Sequence, residues 1–427
     1  MAPSALDDVL RTQRARDFFL ARQPILDRDQ GIVAYELLFR SAAAGPANVT
    51  DNLAATASVI AHAAELGMEN VIGASPGFLN VDAAVLMNDI VPFLPKEKVV
   101  LEILETVQVT DDLVARVAEL AQAGYVFALD DVVANSENVQ KLLSLVDIIK
   151  VDISGMKHGD LGALCAHFKT QNKKLLAEKV ENVAQFQTCL DLGFDYFQGY
   201  YFAKPLVLTG RKLSPSQLTI MHLMGLLLSD AATADIERTI KRDASLGLSL
   251  LRLVNSAGIG LTQRIDTIGQ ALIVLGRRQL QRWLQILLYA EPGKRCNAAA
   301  SPLLHLATTR GKLLELMAER IKPGNRNTVD IAFTIGIMSL MDALLGQSMN
   351  ELLEQISVAD EVREALLSRS GIYGDMLKLA ECTEHVERSN CSQVAELLEK
   401  LHLSSDEFNA LELTAFQWSE SVSRSTG

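Results

Sequence analysis

The chain lacks the marks of several protein classes. Its five cysteines, Cys165, Cys189, Cys296, Cys382 and Cys391, are odd in number and contain no C-x-x-C pair. That excludes a disulfide framework and a cysteine zinc site, and fits reduced thiols in a reducing compartment. No run of about 18 apolar residues occurs, and residues 1–17 carry mixed charge without the apolar core of a secretory leader. A cytoplasmic location with no membrane partner is therefore expected. Positive charge is short as well: 40 Lys and Arg stand against 52 Asp and Glu, a net charge of −12. Such a balance opposes a nucleic-acid surface, so any anionic ligand must be held by local charges or by metal. Aromatic residues make up only 5%, which leaves Leu, Ile, Val and Ala to fill the cores of a 49% hydrophobic chain. With 427 residues, two or three domains are expected.

What is present is a series of short apolar runs, each ending in a polar or charged residue. Val99-Val100-Leu101 runs into Glu102, Val126-Phe127-Ala128-Leu129 into Asp130 and Asp131, and Val146-Asp147-Ile148-Ile149 into Lys150 and Asp152. Leu175-Leu176-Ala177 runs into Glu178, and Phe194-Asp195-Tyr196-Phe197 into Gln198. Helix-like segments near residues 111–124 and 135–145 separate them. The pattern predicts buried parallel strands with helical crossovers. In a barrel of such units the strand carboxyl ends meet at one mouth, where they would gather a dense acidic cluster around one amine.

Upstream, Phe18-Phe19-Leu20-Ala21 predicts a first strand ending at Arg22-Gln23, and Ile32-Val33-Ala34-Tyr35 a second, leading into Glu36. The polar turn at residues 27–31 favours antiparallel pairing of the two. A helix over residues 51–66 and a strand near Gly77-Phe78-Leu79, ending in Asn80, follow. Glu36 and Asn80 then stand where the later strands place their acids.

In this order, Tyr35-Glu36-Leu37-Leu38-Phe39-Arg40, Asn80-Val81-Asp82, Leu101-Glu102-Ile103-Leu104-Glu105, Leu129-Asp130-Asp131, Lys150-Val151-Asp152, Ala177-Glu178-Lys179-Val180-Glu181 and Gln198-Gly199-Tyr200 resemble the motifs of the EAL domain. EAL domains are TIM-like barrels that hydrolyse or bind the bacterial messenger cyclic di-GMP. The resemblance implies an α/β TIM-like barrel with an antiparallel N-terminal strand over residues 18–206, after a tail at 1–17. It further implies a two-metal site for Mg²⁺ or Mn²⁺, with Glu36, Asn80, Glu102 and Asp130 on one ion and Asp130, Asp131 and Glu178 on the other. Hard oxygen donors suit those cations. Lys150 would orient or help deprotonate the attacking water, Gln198 would lie near it, and Glu181 would brace the loop after Asp131. Gln23 and Arg40 match positions that contact the dinucleotide, the guanidinium being able to bond two phosphate oxygens at once. The resemblance also implies a homodimer.

Departures from the family pattern are concentrated around the acids. Leu37 replaces the alanine of the name motif, a packing change. Active members resemble DDFGTGYSSL after the paired aspartates, whereas this chain reads Asp130-Asp131-Val132-Val133-Ala134-Asn135-Ser136-Glu137, with no glycine. Glycines permit backbone geometries that valine resists, so that loop is expected to be shaped differently. Lys179 stands where the family has glycine and either competes with metal for Glu178 or points to solvent. The segment between Arg40 and Asn80 is shorter than in typical members.

Residues 207–215 read as a linker, and the remainder is helical. The stretch Asp243-Ala244-Ser245-Leu246-Gly247-Leu248-Ser249-Leu250-Leu251-Arg252-Leu253-Val254-Asn255-Ser256, followed by Ile268 through Gly276, resembles an HDOD domain, a helical relative of the HD phosphohydrolases. That implies an all-α domain over residues 216–400 that binds a protein partner, with a tail at 401–427 that frays. None of the seven histidines precedes an aspartate, and Ser339-Leu340 occupies the place where a metal-binding His-Asp pair would follow Ala332-Phe333. His222 and His305 are expected at the surface or in packing. Two functions remain open at this point: a phosphodiesterase with weak turnover, and a non-catalytic receptor or adaptor.

Overall fold

A computed structural model describes residues 18–41, 75–88, 91–203, 215–255, 265–289, 301–356, 358–384 and 391–426. The first half alternates strands and helices: β1 (Phe18–Leu26), β2 (Ile32–Ser41), β3 (Gly77–Val81), α1 (Ala83–Leu86), β4 (Val99–Ile103), α2 (Asp111–Gln122), β5 (Val126–Leu129), α3 (Glu137–Leu142), β6 (Ile148–Asp152), α4 (His158–Thr170), β7 (Lys174–Glu178), α5 (Val183–Asp191) and β8 (Tyr196–Gln198). The eight strands close into one barrel, in which β1 runs antiparallel to both β2 and β8 and the other pairs are parallel. The predicted α/β barrel with an antiparallel first strand is therefore the observed fold.

Local chemistry explains the boundaries. Thr110 caps α2 by accepting from the Leu113 amide, and Asp111 and Asp112 sit in its first turn, where acids favour the helix dipole. Leu113, Val117 and Leu120 form the buried stripe that lays α2 on the barrel. The strands alternate, so one set of apolar side chains meets the helices while Ile25, Ala34, Phe78, Val100, Ala128, Ile148 and Leu176 fill the barrel interior. Two residues beyond each interior apolar position on β2 through β7 lies a polar one: Glu36, Asn80, Glu102, Asp130, Lys150 and Glu178. Leu37, one step from Glu36, faces the outer core.

Strand limits differ from the sequence reading at the N-terminus. β1 continues to Leu26 and β2 to Ser41, so Gln23 and Glu36 face one another within a paired ladder and do not end strands. The long two-stranded ladder supplies pairing partners that a run of apolar residues does not reveal. The helix expected over residues 51–66 lies outside the described residues, as do residues 1–17 and 207–214.

The second half is helical: α6 (Pro215–Leu228), α7 (Thr233–Arg242), α8 (Ala244–Val254), α9 (Ile268–Tyr289, kinked at Gly276), α10 (Pro302–Ile321), α11 (Arg326–Met338), α12 (Met341–Leu345), α13 (Met349–Gln355), α14 (Asp360–Ser368), α15 (Gly371–Glu384), α16 (Cys391–Lys400) and α17 (Ser405–Thr426). The last element corrects an expectation. The chain beyond Leu401 does not fray; Phe408, Ala415 and Phe416 are buried and hold α17 against α10 and β1. Its apolar positions are diluted by polar ones, which hid the stripe. Among the described residues, Arg326–Leu345 is the one helical span apolar and long enough to cross a membrane, and 78% of its most apolar window is buried inside the protein.

α10 and α11 approach closely because glycines meet at the crossing. A Cβ on Gly336 would stand 2.6 Å from Gly311 Cα. Gly336→Ala must push the helices apart, an overpacking cost of about 1–3 kcal/mol. Urea unfolding should show a lowered midpoint for this variant, and an unchanged midpoint would refute the close crossing.

Candidate active site

Seven inward side chains converge at the carboxyl end of the barrel. Glu36, Glu102, Lys150, Glu178 and Gln198 are buried, and Asn80 and Asp130 partly so. Lys150, the third residue of β6, is 1% exposed. Its Nζ lies 3.2 Å from Glu36 Oε2, 2.8 Å from Glu178 Oε1 and 3.2 Å from Asp130 Oδ1, and it also pairs with Glu102 Oε1. Glu36 further accepts from Asn80 Nδ2 at 3.1 Å and from Gln198 Nε2 at 2.5 Å. Strands β2 through β8 thus each contribute one group, and Gln23 on β1 stands opposite Glu36.

Four carboxylates against one ammonium leave negative charge that burial penalises heavily. The titration behaviour follows from that imbalance. Burial, with Glu36 close by, raises the Glu102 carboxyl well above its ordinary range despite Lys150. Burial likewise lifts Glu178 to about 8, although Lys150 opposes it. Burial would also raise Asp130, but the Lys150 charge and hydrogen bonds from Glu102 and Lys150 outweigh it and lower its pKa. Burial disfavours the Lys150 charge, yet Glu102, Glu178, Glu36 and Asp130 together raise its pKa well above normal.

Residues after the strands fix the site's rim. Asp131 takes a left-handed conformation with φ of 46°, and Val132 buries its side chain while its amide donates to Lys150 O at 2.9 Å. This gives the glycine-free loop a docked start. Lys179 is also left-handed, φ 56°, a conformation that costs a lysine more than a glycine. Neither expectation for its side chain holds: Lys179 Nζ binds Asp152 Oδ2 at 2.6 Å and reaches Asp131 Oδ1 at 3.5 Å. The carboxylates of Asp152 on β6 and of Asp131 after β5 attract it. Asp152 is held low, because hydrogen bonds from Lys179 and Ser154 and the Lys179 charge outweigh the effect of burial. Gly199, φ 143°, is required because a Cβ there would stand 2.2 Å from Val180 O; Val180 N in turn donates to Gln198 O at 3.0 Å. Glu181 is half-buried, and its backbone N–H donates to Gln185 Oε1 at 2.8 Å. The Arg40 side chain lies outside the described residues.

The donor set fits a hard divalent cation. Glu36, Glu102 and Glu178 each present an oxygen within 4.8 Å of the others, and Glu102 Oε2, Glu178 Oε2 and Gln198 Oε1 are buried with no hydrogen-bond partner. Such oxygens are the natural ligands of Mg²⁺ and Mn²⁺. A second group, Glu105 with Asp130 and Asp131, meets the same distance criterion. The sequence motif Leu101-Glu102-Ile103-Leu104-Glu105 contains Glu105, for which no role is expected from sequence. Its three-residue spacing from Glu102 past the end of β4 was the available signal.

A carboxyl whose pKa rises on folding holds its proton more tightly in the folded chain. The stabilisation from Glu178 is therefore complete below its ordinary value of 4.5 and is lost as pH climbs through about 8. In chelator, the unfolding midpoint should fall between pH 5 and 8, less steeply for Glu178→Gln, and added Mn²⁺ should flatten the slope. A midpoint independent of pH and metal in this window would contradict the buried cluster.

Known proteins resemble this chain over most of its length. The EAL domain family model matches residues 6–205 and the HDOD domain model residues 215–367. The chain is 32% identical to the cyclic di-GMP phosphodiesterase CdgJ of Vibrio cholerae over 415 residues, covering 95% of this chain and 93% of that one. It is 29% identical to the uncharacterized protein YuxH of Bacillus subtilis over 406 residues, 94% and 97% of the two chains. Among solved structures, a standalone EAL protein from Vibrio cholerae in its c-di-GMP-bound form is 26% identical. It covers 44% of this chain and 92% of that one, with a TM-score of 0.36.

Proposed function

The chain belongs to the EAL-domain proteins that carry a C-terminal HDOD domain, and from that premise we propose that it is a cyclic di-GMP signalling protein whose barrel hydrolyses the messenger slowly with Mg²⁺ or Mn²⁺. The observation that carries this reading is the ring of inward groups around Lys150, with buried carboxylate oxygens of Glu102 and Glu178 lacking protein partners. The catalytic unit is residues 18–206, and the helical unit begins at α6 and runs through α17. The segment before α6 links them, and the helical unit offers surface to a protein partner.

The roles divide by chemistry. Glu36, Asn80, Glu102 and Asp130 would hold one cation, and Asp130, Asp131 and Glu178 the other. Bound there, the cations supply positive charge to the phosphodiester and acidify the attacking water. The surrounding carboxylates favour the charged form of Lys150, which orients the water and stabilises the negative charge developing on phosphate. Gln198, anchored through Glu36, fixes the water's approach. Gln23 and Arg40 hold the dinucleotide, and Glu181 steadies the loop that follows Asp131.

Slow turnover follows from the rim. Lys179 draws Asp131 toward Asp152, and the glycine-free loop after Asp131 restricts its readjustment. The same clamp supports a second reading, a receptor that binds cyclic di-GMP without cleaving it.

Incubation with cyclic di-GMP and Mn²⁺, followed by chromatography, should yield linear dinucleotide. Glu36→Ala or Lys150→Ala should abolish product while circular dichroism stays native. Intact nucleotide in the wild type, with binding measured calorimetrically in Ca²⁺, selects the receptor reading. Lys179→Gly relieves the left-handed lysine and releases Asp131, so turnover should rise several-fold; an unchanged or lower kcat would remove the clamp from the account.

A further inference from the structure

The helical half grips the barrel at two tyrosines, and each lies beside a group of the inner ring. Tyr35 precedes Glu36 on β2 and points outward, as alternation requires. Its Oη lies 3.2 Å from His305 Nε2 and donates to Glu420 Oε1 at 3.4 Å, while its ring meets Phe416 edge-on at 5.2 Å. His305 Nδ1 is 3.1 Å from Ser419 Oγ, which also contacts Thr308 Oγ1 at 2.6 Å. Burial lowers the His305 pKa to about 4, so the imidazole is neutral and serves as a fixed hydrogen-bonding group.

Tyr200 follows Gln198 by two residues, across Gly199. Its hydroxyl accepts from Arg310 Nη2 at 2.6 Å and donates to Glu384 Oε2 at 3.0 Å. Arg310 is 3% exposed and is held by Glu384 through Nε at 2.7 Å and Nη2 at 2.5 Å, and by Ser339 Oγ through Nη1 at 2.9 Å. Ser339 is the residue standing where a catalytic His-Asp pair would lie, and here it seats the arginine.

His305 and Arg310 belong to one helix, α10, five residues apart, or about 7.5 Å along its axis. The groups they hold flank a single strand, because β1 lies between β2 and β8. Inside the barrel, across that strand, Gln198 Nε2 donates to Glu36 Oε2. A rigid helix outside and a hydrogen bond inside therefore span the same part of the wall. Close packing on α11 at Gly311 and Gly336 keeps α10 in place.

We propose that Tyr35 and Tyr200, held by His305 and Arg310 of α10, are positioning residues that set the separation and orientation of Glu36 and Gln198. The helical half thereby acts on the metal and water site without contributing a group to it. The inference rests on the reading of Glu36 as a metal ligand. Outer partners of metal ligands commonly govern affinity this way.

The test uses full-length wild type, Tyr35→Phe, Tyr200→Phe, the double variant and Tyr125→Phe. The last removes a buried hydroxyl bonded to Val91 O and Leu94 O, remote from the inner ring. Mn²⁺ titration followed by electron paramagnetic resonance should show affinity about 10-fold weaker in the double variant. The two single effects should be non-additive, because both tyrosines restrain one pair. Tyr125→Phe should lower the unfolding midpoint and leave Mn²⁺ affinity unchanged. A double variant that binds Mn²⁺ like wild type overturns the inference and leaves the proposed function standing. Wild type that binds no Mn²⁺ overturns the functional reading and this inference with it.

Discussion

Lys150 Nζ is an ammonium buried among four carboxylates, and the architecture of the barrel is what makes that arrangement tolerable. No single strand could place four acids around one cation. Parallel strands can, because alternation sends every second side chain inward and closure brings those of all strands to one axis. The interior below is apolar, from Ile25 to Leu176, so the acids above it are screened from water on that side. Raised pKa values at Glu102 and Glu178 are the direct result, and so is the demand for additional positive charge.

Much of the barrel was legible because its signal is repeated. Apolar runs ending in Glu102, Asp130, Lys150, Glu178 and Gln198 correspond to β4 through β8, and the antiparallel start followed from the turn at residues 27–31. The extent of β1 and β2 was not legible, since pairing partners determine where a ladder stops. α17 was missed because its buried residues, Phe408, Ala415 and Phe416, are spaced among polar ones and make sense only against α10 and β1. Of the two places expected for His305, surface and packing, the structure shows packing: it is buried against Tyr35, 270 positions away, and that partner is what no local pattern encodes.

Positions where family glycines are lost show how substitution works at a site. Lys179 keeps the left-handed backbone that glycine would take easily and directs a charge onto Asp131 and Asp152. A similar exchange occurs in the helical half, where Ser339 receives Arg310 and so joins that half to Tyr200.

The central claim is that the buried acids form a cation site shared with cyclic di-GMP. Its most direct test is calorimetric titration of cyclic di-GMP into the full chain, with Ca²⁺ varied from absent to saturating. If cation and dinucleotide occupy one site, each must strengthen the other's binding, so nucleotide affinity should rise with Ca²⁺ and plateau. Nucleotide binding that is indifferent to Ca²⁺, or absent at every Ca²⁺ concentration, would contradict the account.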